Sequence, residues 1–488
     1  MTAPRIRPRP TRRADNVWGM TSSHTGLEFD VLADHLALML AQEDLVSIER
    51  VIRDMSPSDL VNILEREDPD DRAIIYRLLP REVAVEVFER FSPGMRADLL
   101  TGLRDEHVVG VFEHLDPDDR VSLVDELPAT VSAKLFSGLS EKERALTAPI
   151  LGYPSGTIGR HMSTEYVRLR PEMTPREAFD HVRASGDGAE TVYLLMVTDD
   201  HRRLEGVVGM RDLIFALNGD STDGDSHDDG PAAEPITVRD LMKSPESVTA
   251  SEDAEKAARR AVRTTHLVTP VVDEENRLIG ILTVDDANRI IDRADEEDAA
   301  RAGASEPLDR PYLVTSVTTL VRSRIVWLLV LALSAILTVQ VLEMFEDALA
   351  AVVTLSLFIP LLTGTAGNTG SQAATTVTRA LAVGEVRLRD TWKVAWREVR
   401  VGLTMGVLLG LIGAVVAGLV YGADFGLIIG LTLVSICTIA ATVGGIMPMI
   451  ARAIKADPAV FSTPFISTFC DASGLIVYFL IASAVLGL

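Results

Sequence analysis

Three polar side chains interrupt the apolar C-terminal part of the sequence, and their types suit a hydrated cation. Asp471 lies within STFCDASGLIVYFLIASAVLGL, and Asn368 and Gln372 stand one helical turn apart within GNTGSQ. A charge near the middle of a membrane span costs about 3 kcal/mol or more, so such residues face a bundle interior or a water-filled path. No basic residue within the predicted spans can pair with Asp471, which leaves a mobile cation as its natural partner. The alternative is an aspartate close enough to the cytoplasmic end of its helix to reach the headgroups.

The stretch around Asn368 has the composition of a pore lining. FIPLLTGTAGNTGSQAATTVTRAL combines Pro360 with several glycines and with hydroxyl and amide side chains, which favour an irregular backbone. Irregular backbone survives at membrane depth only where protein buries it or where it lines a wet cavity. Close helix packing through small residues is the other explanation of the glycines. The residues predicted to line a pore beside Asn368 are Gly367, Thr369, Gly370 and Gln372.

These side chains need a membrane domain to position them, and the composition predicts one over residues 324–488. Charged residues are concentrated before about residue 320 of the 488-residue chain, and long apolar runs follow. Five segments are long enough to cross the hydrocarbon core as helices, and the fourth is expected to break at Gly444, Gly445 and Pro448. The predicted spans are 324–342, 348–366, 401–420, 426–450 and 465–487.

The charges of the connections between spans predict their orientation. Basic residues cluster between the second and third spans and between the fourth and fifth, whereas the opposite connections carry Glu343, Glu346, Asp347 and Asp424. By the positive-inside rule, the large soluble part is cytoplasmic and the C-terminus lies outside the cytoplasmic membrane. The predicted fold class is therefore a multidomain α, α/β and membrane-α protein in contact with lipid.

The net charge of −23 argues against nucleic acid as a partner and leaves divalent cations or solubility as its explanation. Cys437 and Cys470 both lie in apolar runs, so no disulfide framework is predicted. Residues 1–26 are basic but lack an apolar stretch, and they predict a disordered arm rather than a secretory signal.

A helical repeat is predicted over residues 27–154. Pro69, Pro93 and Pro117 recur every 24 residues, and each follows an Asp or Ser that can cap a helix beginning at the proline. Repeats of this length predict an α-solenoid of short helical hairpins, an architecture typical of scaffolds and docking surfaces. At these corners, Asp118 and Asp119 are expected as helix caps rather than as metal ligands.

Two similar βαβ-like modules follow at 155–218 and 236–292, joined by an acidic linker at 219–235 that predicts disorder. The second contains TPVVDEENRLIGILTVDD, and the first has the matching stretch LLMVTDDHRRLEGVVGMRD. These residues resemble a pair of CBS domains, which sense adenine nucleotides. The resemblance implies a ribose held by Thr283 and Asp286, with Asp212 as the counterpart in the first copy. A purely structural pair is the alternative.

An acidic helix is predicted to connect the second module to the first span over residues 293–323. A cluster of carboxylates opens it, and its members are Asp295, Glu296, Glu297 and Asp298. A solvated helix face is the ordinary meaning of such a run, whereas its direct tether to the membrane part favours a switch element.

The order of these parts resembles the MgtE magnesium channel family, with GNTGSQ in the second span and STPFISTFCDASGLIVYF in the fifth. The resemblance implies a homodimer with an ion path on the two-fold axis. It also implies a Mg²⁺ site at Asp471 and cytoplasmic domains that close the path when intracellular Mg²⁺ is plentiful. One Asp471 from each protomer would place two charges around a hydrated ion, and Asn368 could bond to its water shell.

The regulatory region departs from the family pattern. Asp286, Glu297 and Asp298 match acidic positions that hold cytosolic Mg²⁺ in the family, and Asp295 and Glu296 add charge beside them. The resemblance implies further carboxylates at three positions, which here hold Thr265, Arg289 and Ala294. A fixed cation on this helix is expected to neutralise part of the charge of the acidic cluster and to weaken closure by Mg²⁺.

Two other function classes fit parts of the sequence. In a coupled secondary transporter, Asp471 would carry a proton or Na⁺, but the spans have no obvious inverted repeat and no second ionisable residue for a relay. A membrane-anchored nucleotide sensor would need neither five spans nor a buried aspartate. No catalytic residues are predicted, so the expected protein is a Mg²⁺ channel or transporter rather than an enzyme. Its further candidate ligands are Mn²⁺, Co²⁺, Ni²⁺ and, at the CBS pair, ATP.

Overall fold

The computed structural model describes residues 44–102, 105–127, 129–219, 236–264, 266–454 and 463–487, together with residues 32, 35–36, 38–40 and 42. The predicted arm at 1–26, most of the acidic linker at 219–235 and Thr265 lie outside the described residues. The chain forms two compact units, Met1–Leu115 and Asp116–Leu488.

The first unit contains short helices that begin where the capping pattern predicts. Ser56 accepts a hydrogen bond from the backbone N–H of Asp59 at 3.2 Å, and Pro57 supplies the first helical residue. The predicted helix starts at Pro69 and Pro93 are confirmed. The described helices of this unit are α1 (Leu45–Ile52), α2 (Pro57–Leu64), α3 (Pro69–Arg77), α4 (Arg81–Arg90), α5 (Pro93–Gly102) and α6 (Asp105–His114).

Three further helices of the predicted solenoid belong to the second unit. They are α7 (Pro117–Glu126), α8 (Ala129–Gly138) and α9 (Glu141–Leu151). Val121 and Ile150, from α7 and α9, are buried in one core cluster with Met162 and Val248 of the following modules. The last helices of the predicted solenoid domain at 27–154 therefore share their apolar faces with the modules.

Each module forms a three-stranded sheet with one parallel and one antiparallel strand pair, which confirms the predicted repeat. The backbone N–H groups of Leu204 and Leu278 donate to the carbonyls of Asn276 and Arg202, at 3.0 and 2.8 Å, and tie the two sheets together. The first module contains β1 (Tyr166–Leu169), α10 (Pro175–Ser185), β2 (Thr191–Thr198), β3 (Leu204–Gly209) and α11 (Met210–Gly219). The second contains α12 (Val238–Leu241), β4 (Val248–Thr249), α13 (Ala254–Ala261), β5 (Val268–Val272) and β6 (Leu278–Thr283).

The connecting helix differs from its predicted bounds of 293–323. A single helix, α14 (Val284–Ala302), begins directly after β6, where Oγ1 of Thr283 accepts a hydrogen bond from the helix backbone. It includes the whole acidic cluster and ends at Gly303, and residues 303–316 form turns and extended chain. The prediction of a separate helix is wrong because the last helix of the module and the connection are continuous.

The membrane part contains five long helices within the described residues. They are α15 (Val317–Met344), α17 (Ile359–Ala382), α18 (Thr391–Tyr421), α19 (Ala423–Ala453) and α20 (Thr463–Leu486), with the short helix α16 (Glu346–Ala351) after the first. Four of these are long and apolar enough to cross a membrane by composition alone. The remaining one, α17, carries the polar stretch around Asn368.

The predicted second span at 348–366 is wrong in position, because the helix runs from Ile359 to Ala382. The breaks predicted in the second and fourth spans are also wrong, because both stretches are helical. The irregular backbone precedes α17 as a 3₁₀ turn at Val353–Phe358, and the glycine-rich stretch itself is regular helix. Pro360 lies in the first turn of α17, where its missing N–H costs no hydrogen bond. Pro448 lies inside α19, which continues to Ala453. Helix packing explains the glycines here, since a Cβ on Gly444 would lie 2.2 Å from the carbonyl of Gly370.

Candidate ion pathway and ligand sites of the soluble modules

A cavity of about 980 Å³ lies among the membrane helices α15, α17 and α20. Most of its polar residues come from α17 and α20, and α15 supplies Arg324 and two leucines. The residues 302–305, at the end of α14 and just beyond it, line the same cavity, so α14 reaches the membrane site. The lining residues from the three membrane helices are Arg324, Leu328, Leu331, Pro360, Thr363, Gly364, Gly367, Asn368, Ser371, Ser467 and Asp471.

Asp471 is half-buried at this cavity. Within the part of the chain that the structure describes, no hydrogen-bond donor and no basic group pairs with its carboxylate. Arg324 lines the same cavity without forming an ion pair with it. A carboxylate that faces a cavity in this way matches the expectation of a mobile cation as its partner.

The residues predicted to line the pore divide into two groups. Gly367 and Asn368 line the cavity with Asp471, and Gln372 is exposed outside its lining. Thr369 is buried, and its hydroxyl donates to Sγ of Cys437 at 3.9 Å. Gly370 is packed against neighbouring helices, because a Cβ there would lie 2.8 Å from the Ile466 side chain.

Three hydroxyl residues that the membrane helices supply to the cavity, Thr363, Ser371 and Ser467, were not predicted from the sequence as pore-lining. Gly364, Gly367 and Ser371 recur at intervals of three and four residues on α17, which is the spacing of one helix face. Ser467 precedes Asp471 by one helical turn. This periodicity was the available signal, and it would have separated Thr369, two residues after Gly367, from the residues that line the cavity.

Asp286 of the second module is buried and enclosed by protein contacts. Only 5% of its surface is exposed, and the hydroxyl of Thr283 and the guanidinium of Arg289 both donate to its carboxylate. Burial raises the pKa of Asp286 to about 6, although Arg289 and Thr283 oppose this shift. The predicted ribose site at Thr283 and Asp286 is therefore occupied by contacts within the protein.

Two further buried carboxylates face Asp286. Oδ1 of Asp118 in α7 and Oε2 of Glu190 have no hydrogen-bond partner in the described chain, and Asp118 is 8% exposed. Burial, followed by the charge of Asp286, raises the pKa of Asp118 well above its ordinary value. The same two causes raise the pKa of Glu190 to about 8. Asp118 was expected as a helix cap, but it is buried beside Asp286 and Glu190. Because these carboxylates repel one another, the cluster favours the binding of a nearby cation.

Arg289 supplies a cation to this cluster. Its guanidinium pairs with Asp286 on the same helix and lies 3.9 Å from a carboxylate oxygen of Asp119 in α7. Burial disfavours its charge, but these carboxylates outweigh burial and raise the pKa of Arg289 above its ordinary value. Arg289 thus bridges α14 to α7, whereas the sequence predicted an effect on the cluster that includes Glu296.

The carboxylates predicted as regulatory ligands on α14 do not converge on one point. Asp295 pairs with Arg259 of α13, and Glu297 pairs with Arg301 at 3.2 Å. Glu296 is exposed, and Asp298 is half-buried. Their contacts show that part of this negative charge is already balanced by arginines.

The first module leaves its carboxylate more accessible. Asp212 at the start of α11 forms an ion pair with Nζ of Lys243 at 2.7 Å, and its side chain is 36% exposed. Gly209 lies beside it, since a Cβ there would be 3.7 Å from Oδ2 of Asp212. Tyr193 of β2 presents an exposed ring in the same module.

Protein-family models match three consecutive parts of the chain. The family model described as a divalent cation transporter, MgtE, matches residues 359–481. The MgtE intracellular N domain matches residues 55–156, and the CBS domain matches residues 157–219 and 238–293.

Similar proteins span nearly the full length of the chain. A magnesium transporter MgtE of Thermus thermophilus is 33% identical over 461 residues, which cover 93% of this chain and 98% of that protein. The Bacillus subtilis protein of the same name is 28% identical over 460 residues, covering 91% and 98%. A crystal structure of the cytosolic domain of the Mg²⁺ channel MgtE in complex with ATP is 29% identical, with a TM-score of 0.47, and covers 53% of this chain and 99% of that one. The chain therefore belongs to the MgtE family of divalent cation transporters and spans a membrane.

Proposed function

We propose that this protein moves Mg²⁺ across the cytoplasmic membrane through the cavity that contains Asp471. The observation that carries the proposal is a carboxylate without a protein partner, within the described chain, at a polar cavity among membrane helices. Mg²⁺ is small and loses its water reluctantly, so proteins hold it through one or two carboxylates and retained waters. The amide of Asn368 and the hydroxyls of Ser371 and Ser467 line the same space and can bond to those waters.

The ion path requires a second copy of the chain. Within one protomer, a single carboxylate faces the cavity among the described lining residues, and it balances half the charge of Mg²⁺. A homodimer with Asp471 of each protomer at a two-fold axis supplies the second charge. This arrangement also shields the polar face of α17 from lipid, where its exposed Asn368 would be costly.

The orientation follows from the basic connection between α17 and α18. Arg387 and Arg389 lie there, Lys393 lies in the first turn of α18, and Arg452 lies at the corresponding end of α19. By the positive-inside rule this side is cytoplasmic, so the N-terminal domains are cytoplasmic and the C-terminus is outside.

Regulation by cytosolic Mg²⁺ acts through α14. This helix contains Asp286 and the cluster Asp295, Glu296, Glu297 and Asp298, and residues at its end line the ion cavity. Mg²⁺ bound among these carboxylates and Asp118 would relieve their repulsion and fix the helix against the modules. Mg²⁺ would then control the position of residues 302–305 at the cavity.

An adenine nucleotide is the second proposed regulator, at the CBS pair. Asp212 is the better placed of the two candidate carboxylates, because it is partly exposed and Asp286 is enclosed. When the Asp212 carboxylate accepts hydrogen bonds from the ribose hydroxyls, the ammonium group of Lys243 is free to pair with a phosphate of the same nucleotide.

The test is Mg²⁺ uptake into proteoliposomes that contain the purified full-length protein. We expect uptake down a Mg²⁺ gradient with no proton or Na⁺ gradient imposed, and Mn²⁺, Co²⁺ and Ni²⁺ should compete. Uptake that requires a proton or Na⁺ gradient would identify a coupled carrier instead. The absence of flux together with nucleotide binding would identify a membrane-anchored sensor.

A further inference from the structure

A cavity of about 490 Å³ in the first module is lined by basic side chains, in a chain whose net charge is −23. Arg168 and Arg170 reach it from β1 and the residue after it, and Arg202 reaches it from the turn between β2 and β3. His181 of α10 and Met173 also line it. This cavity is separate from the pair formed by Asp212 and Lys243.

The arginines of the cavity are poorly neutralised by the protein. Among the described residues, neither Arg168 nor Arg202 has a carboxylate partner. Arg170 pairs with Asp200, a side chain that is 87% exposed to solvent. Arg202 donates instead to neutral groups, the carbonyl of Leu278 at 3.1 Å and the hydroxyl of Tyr166 at 3.2 Å.

The second module provides an internal comparison, because its backbone hydrogen bonds match those of the first. The N–H of Val238 donates to the carbonyl of Met173, and the N–H of Ile158 donates to the carbonyl of Glu252, both at 2.8 Å. Met173 and Glu252 are therefore equivalent positions. The same alignment pairs Arg170 with Thr249.

At these equivalent positions the second module is neutral. Arg260 stands at the position of His181, and Glu252 neutralises it with contacts of 2.7 and 2.9 Å. The first module lacks that carboxylate and has Met173 instead.

The turns between the last two strands of each module also differ in charge. Arg202 and Asn276 occupy equivalent turns with φ of 65° and 61°, and Asn276 donates to Leu204 as Arg202 does to Leu278. Asparagine adopts this left-handed conformation more readily than arginine. The fold therefore does not require arginine at position 202, and its guanidinium adds charge to the cavity.

We propose that this cavity binds a phosphate-bearing anion with more than one phosphoryl group. Guanidinium groups bind phosphate oxygens through paired, charge-assisted hydrogen bonds, and three of them converge here. The volume lies within the range of small-molecule pockets, roughly 300–1,000 Å³, and leaves room for a diphosphate.

The test is calorimetric titration of the full-length protein in detergent with sodium pyrophosphate. EDTA is present, so that chelation of Mg²⁺ does not contribute heat. We expect saturable binding that Arg168→Gln and Arg202→Asn each weaken by about tenfold or more. Arg202→Asn preserves the turn, because asparagine is the residue that the second module uses there. Arg183→Gln, on another face of α10, is the matched control and should bind as the wild type does.

Two results would overturn the proposal. One is the absence of binding by the wild type, or an equal loss in Arg183→Gln, which would show screening of surface charge. The other is pyrophosphate binding that Lys243→Gln removes and Arg168→Gln leaves intact, which would assign the anion to the other site. These measurements involve no transport, so their outcome is independent of the ion path.

Discussion

Gly367 and Asp471 stand opposite each other where α17 meets α20, and a Cβ atom on Gly367 would lie 3.4 Å from Oδ1 of Asp471. The same Cβ would lie 2.7 Å from Oγ of Ser467, which is closer than real Cβ contacts allow. The absence of a side chain at position 367 therefore sets the space around the carboxylate.

Gly367→Ala should remove most of the Mg²⁺ flux, because the added methyl group displaces Ser467 and narrows the space beside Asp471. Gly364→Ala is the control on the same helix and the same cavity, since a Cβ there meets no atom within 4 Å. Both changes favour the helix by about 1 kcal/mol, so a difference between them reports the cavity rather than folding. The measurement is Mg²⁺ flux into liposomes that contain equal amounts of each variant. Equal flux in the two variants would contradict the proposed path.

Asp471→Asn should leave the protein folded and remove divalent-cation flux. The amide keeps the shape of the side chain but loses an attraction of about 4 kcal/mol for a charge 4 Å away at an effective dielectric of roughly 20. Asp424→Asn, in the first turn of α19, is the control and should transport normally. Flux measured with a Mg²⁺-sensitive dye inside liposomes checks both variants, and unchanged flux in Asp471→Asn would discard Asp471 as the ion site.

Asn368→Ala should lower flux or selectivity by about fivefold, because one hydrogen bond to the ion's water shell is worth roughly 1 kcal/mol. Gln372→Ala should behave as the wild type, since Gln372 lies outside the cavity lining. Competition of Mg²⁺ uptake by Co²⁺ and Ni²⁺ measures selectivity. Wild-type behaviour of Asn368→Ala together with reduced flux or selectivity in Gln372→Ala would mean that the wrong face of α17 has been placed in the pore.

Arg289→Asp should make the contact between α14 and α7 depend on Mg²⁺. In EDTA the variant should unfold more easily by roughly 1–2 kcal/mol, a figure that allows for the 44% exposure of Arg289. Cytosolic-side Mg²⁺ should then close the path at a lower concentration than in the wild type, because the ion replaces the missing cation. Arg289→Lys keeps the charge and is the control. Closure of Arg289→Asp at the same or a higher concentration would show that Arg289 does not tune the switch.

ATP binding should be weakened about tenfold or more by Asp212→Asn and little by Asp286→Asn. The sequence predicted Asp286 as the ribose ligand, but its contacts with Thr283 and Arg289 leave it enclosed. Calorimetry with ATP on the full-length protein distinguishes the two carboxylates. Loss of binding only in Asp286→Asn would restore the original assignment and require α7 to move.

The parts that could be predicted from the sequence are those that depend on nearby residues. Proline after a capping residue predicted the helix starts at Pro69 and Pro93, and hydropathy predicted four of the five long membrane helices. Asp471 was recognised because an isolated carboxylate in an apolar run has few explanations. The bounds of α17 were missed because its glycines and hydroxyls lower hydropathy while packing against other helices.

The contacts that could not be predicted join residues far apart in the chain. Nothing in the sequence around Arg289 indicates that Asp119 lies 3.9 Å away. Likewise, Thr369 and Asn368 are adjacent and both polar, and only the position of α19 decides that Thr369 bonds to Cys437. Glycine and Pro448 were expected to break helices, but α19 continues through Pro448, and its glycines let neighbouring helices approach closely.

The continuous helix α14 can amplify a small rotation at the second module into a larger displacement at the cavity that contains Asp471. Its 19 residues make a rod about 28 Å long, held at one end by Thr283 and reaching the ion cavity at the other. A tilt of only about 5° about the first end moves the far end by about 2.5 Å, which exceeds the roughly 2.1 Å between Mg²⁺ and a bound water oxygen. At the proposed ion path, a change too small to repack either module would thus be large enough, at the far end of α14, to decide whether a hydrated ion passes.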